Sequence, residues 1–243
     1  LKSNRIHDGK HAGVCIDGKA TATLEDNEIN SNTLPGVVVR GEGSQALLKN
    51  NRIHDGKNAG VCIDGKATAT LEDNEINSNT LPGVVVRGEG SQALLKNNRI
   101  YDGKGKGVYI DDKATATLED NDINSNTQPG VFVRGEGSQA LLKSNRIYDG
   151  KNGGVYIGNK ATATLEDNDI HSNARPGVYD EGSQALLESN RIHDGNSAGV
   201  QIRNNATATL EDNDIHSNTG CGVQVNGEGS QGLLNRNRIH NIR

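Results

Sequence analysis

Internal repetition constrains this sequence more than any other feature. Residues 48–94 reproduce residues 1–47 with two changes, Ser3 to Asn50 and His11 to Asn58. Each 47-residue unit divides again into halves of 23 and 24 residues, LKSNRIHDGKHAGVCIDGKATAT and LEDNEINSNTLPGVVVRGEGSQAL. Both halves reduce to Leu-x-x-Asn-x-Ile, a turn, Gly-Val-x-Ile/Val, a second turn and a short alternating run. Successive rungs begin at Leu1, Leu24, Leu48, Leu71, Leu95, Leu118, Leu142, Leu165, Leu187 and Leu210, and a partial one begins at Leu234. No linker interrupts residues 1–243, which read as one repeat domain of ten full rungs plus the partial one.

A unit this short cannot bury its own apolar edge, but stacked on its neighbours it buries that edge on both sides. Each rung holds three stretches of period-2 alternation separated by Gly, Asn, Asp and Ser, and no window sustains a helical period. The expected fold is all-β: a single-stranded parallel β-helix with three short strands per rung and about ten rungs of 22–24 residues. At the spacing of paired strands it would be roughly 48 Å long. Leucine-rich repeats share the period but need a more leucine-dense motif.

Composition demands the same regularity. Leu, Ile, Val and Phe make up only about 21% of the chain, near the level where chains stop folding. With five Tyr, one Phe, no Met and no Trp, no aromatic core is available. The formal charge of −5 argues against a nucleic-acid partner. Apolar runs are only a few residues long, as at Val37–Val39, so no membrane partner is expected. No signal peptide is visible. Cys15 and Cys62 share a column two rungs apart, beyond the roughly 7 Å Cα limit of a disulfide, and Cys221 falls in a turn.

Columns follow from the repeat. Leu24 and Leu48, Ile29 and Ile53, and Val37 and Val61 belong to inward stacks. Asn4, Asn27, Asn51 and their successors to Asn237 fall at one position, where stacked amides donate to one rung and accept from the other. The Gly13, Gly36 and Gly60 column needs either positive φ or close packing. Outward columns alternate in charge, as in Arg5, Glu28, Arg52, Glu75 and in Asp17, Arg40, Asp64, Arg87. Such exposed pairs are worth about 0–1 kcal/mol each and favour stacking register over catalysis.

At KATATLEDNEI, NRIHDGK and SNTLPGVVV the chain resembles the right-handed β-helix region of the F-box only protein eleven family. More broadly it resembles the carbohydrate-binding and sugar-hydrolase (CASH) class of β-helices. The resemblance covers essentially the whole chain and implies the right-handed sense. Among F-box relatives it implies recognition of protein substrates for a ubiquitin ligase, but no F-box is present. Other members of the class are polysaccharide lyases, pectin hydrolases and alginate epimerases. Their Asp-Pro-His-Glu, Gly-His-Gly and Arg-Ile-Lys signatures are missing.

Departures from the repeat mark the candidate sites. Between the two core residues of Gly-Val-x-Ile/Val, the outward position holds Tyr109, Phe132, Tyr156 and Tyr179 on consecutive rungs, a ligand-binding stripe or ordinary cross-strand packing. The eighth rung is two residues short, which brings Asp180 and Glu181 beside Tyr179 and is expected to notch the surface. Asp180, Glu181 and the Asp111–Asp112 pair are the candidate catalytic carboxylates. Carboxylate separation is uninformative here, because rung spacing supplies glycosidase-like distances everywhere. His171, His193, His216 and His240 follow Tyr148 in one column and are the candidate metal ligands, although no metal or other cofactor is expected.

These features favour a non-catalytic recognition or scaffold domain that binds a protein or polysaccharide through the Tyr109–Tyr179 face. The alternatives are a carbohydrate-active enzyme working near Asp180 and Glu181, and a purely structural repeat. The ends lack a recognisable cap and are expected points of association, opposed by Arg238 meeting Arg5.

Overall fold

A computed structural model describes residues 1–242. The chain winds into a right-handed parallel β-helix whose strands fall into three sheets of eleven, ten and ten strands. Sheet I begins with Arg5–His7 and Glu28–Asn30, sheet II with Val14–Ile16 and Val37–Arg40, and sheet III with Thr21–Glu25 and Gln45–Lys49. Every pairing is parallel and in repeat register: Ile29 opposite Ile53, Val37 opposite Val61, Leu48 opposite Leu71.

Alternation decides which side chains enter the core. Sheet I contributes isoleucines such as Ile29 and Ile76, sheet II valines and isoleucines such as Val84 and Ile110, and sheet III alanines and leucines such as Ala69 and Leu71. The leucines, isoleucines and valines among them are fully buried in the interior rungs, each contributing about 1.5–3 kcal/mol of apolar burial. A sparse apolar composition therefore suffices, because in the interior rungs every inward column is apolar except at Asp180.

Polar groups make the corners. The residue before each ladder asparagine turns the chain from sheet III to sheet I in a left-handed conformation, with φ of 55° at Ser3, 56° at Asp26 and 53° at Asn50. Short polar side chains tolerate this region better than branched ones. The asparagine then closes the corner. Asn51 Nδ2 donates to Asn74 Oδ1 at 3.0 Å and to the Leu24 carbonyl at 2.9 Å, while Asn51 N donates to the same Oδ1 at 2.9 Å. A second row lies in the even rungs: Asn79 Oδ1 accepts from Gly56 N at 3.0 Å, and its Nδ2 donates to the Ile53 carbonyl at 3.2 Å. Of the two readings of the Gly36 column, close packing is the one realised: a Cβ on Gly36 would lie 2.7 Å from Ile53 Cγ2 and 2.8 Å from the Gly60 carbonyl oxygen.

Charge alternation also forms contacts, including Arg40 to Asp17 at 3.1 Å and Arg87 to Asp64 at 2.9 Å. It fails near the C-terminal end, where Glu166, Glu188 and Glu211 are direct neighbours.

Candidate functional site

The loop entering sheet II folds beside the outward face of that sheet, and together they form a corner parallel to the helix axis. Its loop wall carries Pro35, Pro82, Pro129 and Pro176, which are all four prolines of the chain. Two stretches of this corner widen into grooves. The N-terminal one, about 460 Å³, is lined by Cys62, Leu81, Val85, Lys106 and Tyr109 among others. The C-terminal one, about 310 Å³, is lined by Tyr156, Arg175, Tyr179, Gln201 and Arg203.

The four aromatic candidates form a ladder on the sheet wall. Tyr109 meets Phe132 edge-on at 5.7 Å between centroids, Phe132 stacks on Tyr156 at 4.3 Å, and Tyr156 stacks on Tyr179 at 5.1 Å. Stacking turns the inner ring faces toward one another, so the groove meets mainly ring edges and hydroxyls. Lys106 places its ammonium 5.0 Å from the Tyr109 ring centroid and 4.9 Å from that of Phe132. Burial, with help from Arg134, lowers the Lys106 pKa. Neither Lys106 nor Arg175 has a carboxylate partner among the described residues, whereas Arg87, Arg134 and Arg203 are paired with Asp64, Asp111 and Glu181.

The carboxylates of Glu181, half-buried, and Asp111, buried, are already occupied. Glu181 accepts from Tyr156 Oη at 2.5 Å and from Asn204 Nδ2 at 2.7 Å, and lies 3.7 Å from Arg203 Nε. Asp111 accepts from the Tyr109 hydroxyl, from Arg134 Nε at 2.9 Å and from Asp112 N at 2.9 Å. Burial alone would raise the Asp111 pKa, but these hydrogen bonds outweigh it and the net shift is downward. Burial and the bond to Asp111 push the Tyr109 phenol up to about 12, and burial with the bond to Glu181 raises Tyr156 further. Phenols held in the neutral form are poor bases and good donors. Asp112 stays exposed in the turn after Asp111.

Asp180 departs from expectation. It does not stand beside Glu181 in a surface notch. It pairs in register with Ile157 and Ile202 and is fully buried in the inward column of sheet II. The two missing residues come out of the following turn, where Gly182-Ser183 replaces the four residues Gly135 to Ser138 of rung 6. Strand parity carries the signal: with Val178 inward and Tyr179 outward, Asp180 must face in. Both of its carboxylate oxygens lack a hydrogen-bond partner, and burial raises its pKa to about 7.

Sequence reasoning missed Gly158. The ion-pair column Asp64, Arg87, Asp111, Arg134 meets glycine on the next rung. A Cβ there would lie 2.5 Å from Tyr156 Cε1, so the gap lets the Tyr156 ring fold across the strand toward Glu181. Lys106 and Arg175 were also missed, since each lies in a loop whose approach to sheet II is a tertiary property.

The histidine candidates are brought together, but as a ring stack. Tyr148, His171, His193, His216 and His240 stack with centroids 4.9–5.1 Å apart. Their nitrogens are engaged laterally. His171 Nε2 accepts from Arg146 Nε at 3.3 Å, His216 Nε2 accepts from Arg191 Nε at 3.3 Å, and His193 lies 2.8 Å from both Asp169 and Asp194. Burial lowers the pKa of His171 and His216. No group of three metal-ligating side chains converges among the described residues.

Solved structures of similar fold include two epimerases and a lyase named for polysaccharides. The A-module of the Azotobacter vinelandii mannuronan C-5 epimerase AlgE6 superposes with a TM-score of 0.67 at 14% identity, covering 98% of this chain and 81% of that one. A double mutant of the periplasmic alginate epimerase AlgG gives a TM-score of 0.77 at 15% identity, covering 98% and 73%. The pectate lyase Pel9A gives 0.64 at 12% identity, covering 94% and 68%. At these identities the likeness is one of fold. No curated protein is similar enough in sequence to count as a match. The family described as "Right handed beta helix region" matches residues 1–145 and again 129–243, and the chain belongs to that family.

Proposed function

We propose that this chain recognises an extended acidic polysaccharide laid along the corner beside sheet II, and binds it without chemical change. The observation that carries this reading is the pair of groove cations without a carboxylate partner, Lys106 and Arg175, flanking the aromatic ladder of Tyr109, Phe132, Tyr156 and Tyr179. They lie three rungs apart, roughly 14 Å at strand spacing, which suits an elongated polyanion better than a small anion. The solved structures of similar fold include epimerases named for mannuronan and alginate and a lyase named for pectate, all acidic polymers. Binding without turnover is favoured because Glu181 and Asp111 are saturated with donors and Asp180 is enclosed.

Polygalacturonate, alginate and a neutral dextran are the probes. The acidic polymers should bind with an affinity that falls as salt rises, and dextran should not bind. Lys106→Ala with Arg175→Ala should lower affinity about a hundredfold, at about 1.4 kcal/mol for each contact. Equal binding by parent and double variant would overturn the reading. An enzymatic reading is comparably supported by the neighbours and predicts new unsaturated or epimerised uronates after incubation, lost in Glu181→Gln. A protein partner, as the F-box likeness suggests, would use the apolar stretch where Leu34 and Leu81 are 42% and 46% exposed. That partner would be released by Leu34→Ser with Leu81→Ser rather than by loss of the cations.

A further inference from the structure

Asp180 is the most anomalous side chain in the molecule. Its column in sheet II is otherwise apolar, with Val133, Ile157 and Ile202 around it, all fully buried. The facing inward columns carry Ile170 and Ile192 from sheet I, and Ala163, Ala185 and Leu187 from sheet III. Ser183 lies at the next corner, and its hydroxyl donates to the Glu181 carbonyl at 3.2 Å rather than to Asp180. No charged side chain belongs to these inward columns. On its own strand Tyr179 and Glu181 point the opposite way, as do Gln201 and Arg203 on the next strand and Tyr156 on the previous one. The strand cannot slip by one residue to release Asp180, because that would turn Tyr179 inward and expel Val178.

We propose that rung 8 is a proton-operated seam: loss of the Asp180 proton drives its side chain out of the core, loosens the strand Val178–Glu181 and dismantles the groove that strand helps to build. The same strand carries Tyr179, which lines the groove, and Glu181, which holds Tyr156 and Arg203. As a control over ligand binding the seam rests on the groove reading above, but the opening itself does not.

The direction follows from linkage. Burial raises the carboxyl to about 7, so the closed strand keeps a proton that an opened strand releases near the ordinary aspartate value of about 3.9. Stability is therefore full below about pH 4, is lost as pH rises toward about 7, and changes little above that. Acid should close the groove and alkali should open it.

Hydrogen exchange on the full chain, corrected for intrinsic rate, tests the seam. Opening of residues 178–188 should rise on the order of a hundredfold between pH 5 and 8, while the equivalent strands of rung 4 stay level. Asp180→Val, which restores the residue type of the other even rungs, should abolish the rise. Asp180→Asn, polar but unable to ionise, should open the strand equally at every pH. A level profile in the parent, or the same rise in Asp180→Val, overturns the proposal. Polygalacturonate binding provides a separate arm: the parent should lose affinity about tenfold or more across that range and Asp180→Val should not. Failure of both proteins to bind at any pH would sink the groove reading and leave the exchange result to decide the seam.

Discussion

Rungs 1–4 and rungs 5–10 share a coil but not a surface. In the first region the outward column of sheet II reads Cys15, Val38, Cys62, Val85, and acid faces base in regular alternation. In the second it reads Tyr109, Phe132, Tyr156, Tyr179, then Gln201 and Gln224. There the alternation breaks at Gly158 and at Glu188, one rung loses two residues, and an acid enters the core. The asparagine ladder, the leucine stack of sheet III and the isoleucine stack of sheet I pass through both regions unchanged, while one inward column of sheet II is interrupted at Asp180. The coil is therefore a scaffold whose stability is set rung by rung, while its outward positions are free to diverge.

The largest test asks whether the coil really is common to both regions. Asn51→Leu and Asn121→Leu each strand the backbone N–H of the preceding ladder residue and take a donor from a leucine carbonyl, Leu24 in one case and Leu95 in the other. Each should cost roughly 4 kcal/mol, since a buried group left without its partner costs about 1–3 kcal/mol. Unequal losses in thermal or urea unfolding would break the comparison by showing that the regions differ inside as well as outside. The next test sharpens it. Asp180→Val should gain stability over the parent by an amount that grows by about 4 kcal/mol from pH 4 to pH 8, since a shift from about 3.9 to about 7 is worth roughly 1.4 kcal/mol per unit. Paired urea titrations at the two pH values read the difference, and a constant gap would show that ionisation is not its source.

Two smaller effects address the surface alone. Gly158→Ala places a methyl against the Tyr156 ring and should release its hydroxyl from Glu181. The phenol should then titrate at lower pH by ultraviolet absorbance, and polygalacturonate affinity should fall about tenfold, or 1.4 kcal/mol. Unchanged phenol titration would mean the ring accommodates the methyl in place. Glu188→Lys restores alternation between Glu166 and Glu211 and should raise stability by no more than about 1 kcal/mol, an effect that disappears in high salt.

The coil was legible because repetition converts weak local signals into columns. One Leu-x-x-Asn-x-Ile means little, but eleven at spacings of 22–24 residues leave few folds able to bury them. The surface was less legible. Tyr109 to Tyr179 could be aligned from the repeat, yet their mutual stacking, which hides the inner ring faces, depends on rotamers. Lys106 and Arg175 sit in loops whose approach to sheet II no periodicity reports. Asp180 was legible by parity and misread by chemistry: an acid beside a tyrosine suggests a surface, but two residues lost from a turn leave strand alternation intact, and alternation puts it inside.

We place the proposed acidic-polymer site in the diverged corner of rungs 5–9 and not along the coil in general. Hydrogen-exchange footprinting at pH 5.5 with saturating polygalacturonate tests it most directly. Protection should be confined to the loops around Lys106 and Arg175 and to the sheet II strands from Val108–Asp111 to Val200–Arg203. Protection of the same size in rungs 1–3, or along the threonine and glutamine face of sheet III, would contradict it.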